Sequence, residues 1–260
     1  MNEPRFEAIH NFRDCGGYTT RDGRRMRRGK LYRSAHFPRA SDADLEAMRT
    51  LGLATIVDMR RPMERAHSPS RRWDGFDVRV VEHPGMDEGA LPPHLIAFER
   101  AGASGPDARA ALTQIYAELP ADPMVLDLLR DFFAALAEAD GAVLVHCAAG
   151  KDRTGVAVAL AHHLLGVRES DMLANYLATN DSIEARNEDT GPMRAFLGRN
   201  GVAVSEEAVR VILGVEEPFL RAAFATMTRI DGSLDGFIAG TLGVTAAQCA
   251  AIRTRMLEPA

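Results

Sequence analysis

The stretch VLVHCAAGKDRTG, Val143 to Gly155, constrains this chain more than any other. Gly141 to His146 is a short aliphatic run without polar alternation, the pattern of a strand covered on both faces, as in a parallel sheet flanked by helices. From Thr154 onward Val156, Val158, Leu160 and Leu164, with alanines between them, leave no polar face, so the helix that follows is buried as well. Residues 147–153 therefore form a loop that joins a central strand to the N-terminus of a buried helix.

Strand and helix patterns alternate through the first two thirds of the chain, which predicts an α/β fold rather than a bundle or sandwich. Leu31 to Ser34 is a short strand. Ser41 with Asp44 three residues on forms a capping box for a helix through Leu45 and Met48 that closes near Gly52. Ala54 to Asp58 reads as a buried strand stopped by Pro62, and Asp77 to Glu82 as another, ended by His83-Pro84-Gly85. Met86 to Gly105 is rich in glycine and proline and reads as a long surface loop. Helices follow at Asp107 to Leu119 and Met124 to Glu138, each with apolar spacings of three and four. Beyond Ser170 the pattern is helical, ending in a helix opened by a Thr245 to Gln248 capping box. No repeat, low-complexity tract or linker divides the chain, so residues 1–260 are expected to form one domain with a mostly parallel central sheet, flanking helices and a helical C-terminal part.

Composition narrows the function. A net charge of -5 argues against nucleic-acid binding, which needs a basic footprint. Any anion site must be local. The basic run Arg21 to Lys30 is a solvated hairpin turning at Asp22-Gly23, with attraction to an anionic substrate or lipid surface as its rival reading. No apolar run is long enough to cross a bilayer and no secretory signal opens the chain, so the expected location is cytoplasmic, with signal-less export left open. The three cysteines, Cys15, Cys147 and Cys249, are widely spaced and form no C-x-x-C pair. That pattern suits a reducing compartment and no zinc site. His162 and His163 are helix neighbours that cannot face one ligand, so neither metal nor cofactor is expected. The methionines and Tyr116 are core residues on this reading.

The loop carries the chemistry. Five residues separate Cys147 from Arg153, enough to curl the backbone into a cradle whose N–H groups converge. Ala148 and Ala149 do not crowd such a cradle, and Gly150 supplies a positive φ. Inward amides, the positive end of a helix dipole and the planar fork of Arg153 together suit a tetrahedral oxyanion such as phosphate. The same field favours the thiolate of a cysteine at the base of the loop. Cys147 then becomes a nucleophile in line with phosphorus, Thr154 a donor to its sulfur, and His146 a support for the loop. A merely packed cysteine would explain neither the glycine nor the arginine at their spacing. A nucleotide-binding P-loop fails because Asp152 stands where Ser or Thr is required and Val145 where glycine is. Sulfur carriers of the rhodanese type and arsenate reductases remain as thiol alternatives, and a non-catalytic phosphate-recognition module as the alternative outside enzymes.

His146-Cys-Ala-Ala-Gly-Lys-Asp-Arg-Thr-Gly155 resembles the signature of the cysteine-dependent protein tyrosine phosphatases, in the G-K-D-R form of a bacterial branch. Asn11-Phe-Arg-Asp14, Leu31-Tyr-Arg-Ser34, Val57-Asp-Met-Arg60, Tyr176-Leu177 with Asn180-Asp-Ser182, Gly232-Ser233 with Gly236, and Leu242-Gly243 extend the similarity over nearly the whole chain. The resemblance implies a phosphatase α/β fold and metal-free hydrolysis of phosphotyrosine through a phosphocysteine. It further implies tolerance of phosphoserine, phosphothreonine or phosphoinositides, with Lys151 meeting an extra phosphate. Phosphoproteins or phosphoinositides would be the partners, with no integral membrane association. The resemblance suggests Asp152 as the proton donor to the leaving group. Asp58 and Asp87, which follow strand candidates and so share the loop's edge, are rival donors and substrate-binding candidates, against plainer parts as an ion pair and a solvated loop charge. Arg13 and Arg60 line the pocket or brace the sheet edge. Cys15, a departure from the family's pattern, raises a reversible disulfide with Cys147.

Overall fold

The computed structural model describes residues 4–85, 104–185 and 204–259. Five strands make one sheet: β1 (Arg13–Asp14), β2 (Leu31–Ala35), β3 (Leu53–Asp58), β4 (Arg79–Glu82) and β5 (Ala142–Cys147). Their order across the sheet is β1-β2-β5-β3-β4, with β1 antiparallel and all other pairs parallel. β5 is the central strand and every one of its residues is buried. Its neighbours β2 and β3 lie on opposite sides, so the chain changes direction around it, which opens a crevice at the C-terminal ends of these strands.

Local signals explain the elements that flank the sheet. α1 (Asp42–Arg49) begins at the expected capping box, with the Ser41 side chain accepting from the Asp44 amide and the Asp44 carboxylate accepting from the Ser41 amide. Pro62, which ends the β3 segment, also opens α2 (Pro62–His67), a helix that the apolar pattern did not announce. Proline is well placed there because the first helical N–H needs no partner. α3 (Gly105–Glu118) and α4 (Pro123–Glu138) match the expected pair. The buried helix α5 (Asp152–Leu165) leaves β5 directly, and every residue in it except His163 is buried. It closes at Gly166 in the left-handed conformation, with φ 76°.

The C-terminal part is helical, as its spacing requires: α6 (Glu169–Leu177), α7 (Thr179–Ala185), α8 (Glu206–Leu213), α9 (Glu217–Asp231), α10 (Leu234–Ala239) and α11 (Ala246–Met256). One core lies on the sheet face of Leu31, Val57, Val143 and Val145, under α3, α4, α5 and the C-terminal helices. A smaller one, with Tyr32, Phe37, Leu45, Met48, Ile56 and Leu144, lies on the other face against α1. The basic hairpin also forms, with Thr19 bridged to Arg25 around Gly23 at φ 86°. Part of its charge is structural, since Arg24 pairs with Asp22 and Arg27 Nε donates to the Leu257 carbonyl. Among the described residues no helix is long and apolar enough to cross a membrane.

Candidate active site

Parallel register places the end of β5 beside the ends of its neighbours, with Cys147 opposite Ala35 and His146 opposite Asp58. The loop from Ala148 to Lys151 leaves this edge and enters α5 within one turn. Its carbonyls are held from outside. The Ala148 oxygen accepts from the His36 amide at 3.1 Å, while Asn11 Nδ2 donates to the oxygens of Ala149 and Gly150 at 3.1 and 2.9 Å. Arg33 Nη2 reaches the Gly150 oxygen as well, at 2.7 Å. These oxygens are thereby committed to neighbouring elements, which leaves the loop's peptide N–H groups as the donors an anion cradle would use.

Two residues meet special backbone demands to make this possible. Gly150 has φ 64°, and a Cβ there would lie 2.2 Å from the Ser34 oxygen, so only glycine lets the loop approach β2. Asn11 has φ 54°, a conformation asparagine tolerates better than most residues, and it is anchored by its amide to Ser182 Oγ at 3.0 Å. The landmark Asn11 is thus a clamp on the loop.

Cys147 is buried, 2% exposed, at the floor of this loop. Arg153 is buried on the first turn of α5 and held in place by Glu64 of α2. Its Nη1 donates to Glu64 Oε2 at 2.7 Å and to the Met59 oxygen at 2.8 Å, and its Nη2 donates to Glu64 Oε1 at 2.8 Å. Burial pulls the guanidinium's pKa down, but Glu64 outweighs it and holds Arg153 charged. Nε is buried without a partner. Nε–H and the second Nη2–H lie along one edge of the guanidinium, so a two-pronged donor remains open for an oxyanion. Glu64 escaped the sequence analysis because it lies 89 residues from Arg153. The available signal was Arg61-Pro-Met-Glu64, a helix start with proline and a capping glutamate, in which Glu64 Oε2 also accepts from the Arg61 amide at 2.8 Å.

The remaining expected residues separate in the structure. Asp152 Oδ1 accepts from the Tyr116 hydroxyl at 2.8 Å, and Tyr116 in turn accepts from the Tyr176 hydroxyl at 2.9 Å. Tyr116 is core, as expected, yet it also orients Asp152. The Asp152 side chain keeps 11% exposure. Lys151 does not reach toward a ligand. Its Nζ donates to the Ile212 oxygen of α8 at 2.6 Å and sits 3.5 Å from Asp152 Oδ1. The idea that it meets an extra phosphate finds no support in this geometry, because a buried ammonium is held wherever its acceptors are. Thr154 Oγ1 is buried with no partner, so its expected bond to the sulfur is absent.

Asp58 lies in a buried ion pair with Arg60, Oδ2 to Nη2 2.7 Å, and 3.7 Å from His146 Nε2. Burial pushes its pKa up, but His146 and the forked Arg60 outweigh this and hold it at about 2. A carboxyl that ionised cannot deliver a proton near neutrality, which argues against Asp58 as the donor, although it lines a cavity of about 410 Å³ beside Arg60 and His146. Asp87 and most of the Met86–Gly105 loop lie outside the described residues. His146 Nδ1 lies 3.3 Å from the Cys147 oxygen, and burial lowers its pKa. Arg60 lines the cavity beside Asp58 and also braces the sheet edge, while Arg13 braces the segment before β1. Arg60 also donates to the Ser68 oxygen, and Arg13 to the Asn175 oxygen and Thr179 Oγ1. His162 faces the Cys15 oxygen at 2.9 Å and His163 pairs with Asp235 at 3.1 Å. Among the described residues no three His, Cys, Asp or Glu side chains gather as metal ligands.

The suggested disulfide is excluded by register. Cys15 donates its amide to Leu31, and Leu31 pairs with Val143, four residues before Cys147. That separation is about 13 Å along the strand alone, beyond the roughly 7 Å that a disulfide tolerates.

Comparison with known proteins agrees with this geometry. The model of the tyrosine phosphatase family matches residues 4–258. A candidate tyrosine-protein phosphatase of Cupriavidus necator is 33% identical over 246 residues, covering 94% of this chain and 85% of that protein. The triple specificity protein phosphatase PtpB of Mycobacterium tuberculosis is 32% identical over 252 residues, covering 88% of this chain and 90% of that protein. A tyrosine-protein phosphatase of Nostoc commune is 32% identical over a shorter stretch of 160 residues. A signature loop held from outside, an arginine with one donor edge open, and a match from residue 4 to residue 258 lead to one conclusion: this chain belongs to the tyrosine phosphatase family.

Proposed function

We propose that the protein hydrolyses phosphate monoesters, phosphotyrosine first among them, through a phosphocysteine intermediate and with no metal or other cofactor. The observation that carries the proposal is the Arg153 guanidinium, fixed by Glu64 on one edge and open on the other, beside a loop whose carbonyls are tied back. Three phosphoryl oxygens are held by loop amides and the open fork of Arg153, which leaves phosphorus above the Cys147 sulfur. The thiolate attacks, an S–P bond forms, the ester P–O bond breaks, and the leaving oxygen takes a proton from Asp152. Water then attacks the phosphocysteine, giving its proton to Asp152, and the S–P bond breaks to return thiolate and inorganic phosphate. Thr154 Oγ1, a buried hydroxyl with no partner, is the donor available to the departing sulfur in this second step.

Substrate range follows the relatives less far. The mycobacterial relative's name includes triple specificity, and phosphoserine, phosphothreonine and phosphoinositides are proposed here as secondary substrates, without assigning Lys151 to them. The test is p-nitrophenyl phosphate hydrolysis with and without EDTA in wild type and Cys147→Ser, followed by a panel of phosphopeptides and phosphoinositides. Activity that survives EDTA and disappears in Cys147→Ser is the expected result. Loss with chelator would contradict the metal-free mechanism, and a wild type that binds phosphopeptide without turnover would make the chain a recognition module.

A further inference from the structure

Three arginines of the central sheet and its loop are buried, and two of them have carboxylate partners: Arg60 with Asp58 and Arg153 with Glu64. Arg33, 0% exposed in the middle of β2, has none among the described residues. Its Nη2 donates to the Gly150 oxygen and its Nη1 to Asn175 Oδ1 at 3.2 Å, both neutral acceptors, while Nε is buried and unpaired. Directly across the β1 ladder stands a second cation, Arg13. A guanidinium so enclosed is far costlier than a neutral residue of its size unless an anion answers it.

Strand register identifies the groups within reach. Arg33 pairs with Val145, so it shares a sheet face with Cys147, two residues further along β5 and about 8 Å away at the backbone. Nη2 lies 3.6 Å from where a Cβ on Gly155 would be, which puts the guanidinium beneath the loop, against the first turn of α5. On its other side is Cys15, next to Leu31 on β1's continuation. Burial pulls the Arg33 pKa down, and the groups that push back are the thiols of Cys15 and Cys147 and the phenols of Tyr116 and Tyr176. Both phenols are raised by burial and stay neutral. Of the two thiols, only Cys147 also has the N-terminus of α5 and Arg153 beside it, with Lys151, Asp152, Glu64 and His146 as the other ionisable groups around the loop, Lys151 being taken up by the Ile212 oxygen and Asp152.

We propose that Arg33 is the buried counter-cation of the Cys147 thiolate, a positioning residue that acts from beneath the loop while Arg153 holds the phosphate from above. The inference rests on the phosphocysteine mechanism and adds a second cation to it. It also accounts for Leu31-Tyr-Arg-Ser34, a motif that the rest of the site leaves without a part.

Alkylation of Cys147 by iodoacetamide tests it in the full chain, as the ratio of the rate at about pH 6 to the rate at about pH 9.5, where ordinary thiols are ionised. Arg33→Gln is expected to lower this ratio about tenfold or more, together with kcat/KM for p-nitrophenyl phosphate, while circular dichroism stays native. Asn175→Asp provides the second variant, since it places a competing carboxylate on Arg33 Nη1 in an isosteric and charge-balanced way; the ratio is expected to fall in the same direction. Cys15→Ala is expected to leave it unchanged. An unaltered ratio in folded Arg33→Gln, or in Asn175→Asp should the first variant not fold, would overturn the inference, and so would a rise in Cys15→Ala, which would make Cys15 the counter-anion. A wild type that neither turns over substrate nor labels at Cys147 is a different result: it removes the mechanism, and the inference with it.

Discussion

Glu64 and Arg153 show how much of a reaction is decided by which donors of one side chain are already occupied. With both Nη1 protons and one Nη2 proton taken, the guanidinium is fixed, and under the proposed mechanism its unpaired edge is set before substrate arrives. Glu64→Gln removes the charge and one acceptor of the fork, so kcat/KM for p-nitrophenyl phosphate is expected to fall roughly 10- to 100-fold, mainly through a loosened arginine. Activity within about twofold of wild type would show that Arg153 needs no such brace. Asp152 is held by Tyr116 in the same manner. If it is the acid, Asp152→Asn should lower kcat by about 10² or more for esters with poor leaving groups such as phenyl phosphate and far less for p-nitrophenyl phosphate, whose oxygen departs without a proton. Equal losses on both esters would move the proton donor elsewhere. The shared loop of Cys147 and Arg153 was legible because both lie within one short stretch of sequence, whereas Glu64 was not, because its contact crosses 89 residues of chain.

At the scale of elements, the loop is a joint product of β2, β5, α5 and the segment before β1. Gly150→Ala would force a Cβ to 2.2 Å from the Ser34 oxygen at a backbone conformation that L side chains rarely adopt. The expected outcome is a loss of stability on the order of 3 kcal/mol, read from urea unfolding, along with loss of activity. A variant with wild-type stability would mean that the loop can move away from β2. Capping boxes at Ser41 and Thr245 were readable in the sequence because both partners sit within one helical turn. α2 was missed for a related reason: six residues with none buried carry no apolar periodicity, and only Pro62 and Glu64 mark the start. Asn11 shows the limit from the other side, since a polar residue before a strand says nothing by itself about the two carbonyls it will hold on a loop more than a hundred residues away.

Across the whole molecule, burial sets how stability depends on pH. His162 and His36 are pulled down to about 4, in each case chiefly by burial. In the unfolded chain a histidine takes its proton near pH 6.5, so between about 6.5 and 4 the unfolded state binds more protons than the folded one. Stability must therefore decline as pH falls through that window and level off below it, with fully buried His162 contributing on the order of 3 kcal/mol. Asp58, held at about 2, retains its contribution until the pH drops below about 4 and loses it toward 2. Urea midpoints measured from about pH 7.5 to 4 should show the first decline, and His162→Asn should flatten it; a midpoint constant over this range would refute the assignment.

The sequence by itself determined the α/β class, the buried strand and helix, and the cysteine and arginine of their shared loop, because hydrophobic period and a spacing within one loop are properties of neighbouring residues. Tertiary structure alone decided the strand order, the clamp of Asn11, the brace of Glu64, the enclosed charge of Arg33, and the partners that take up Asp58 and Lys151. Each of these depends on which distant side chain takes up a given proton or lone pair, and chain folding settles that through burial, where no polar group can be left without an answer.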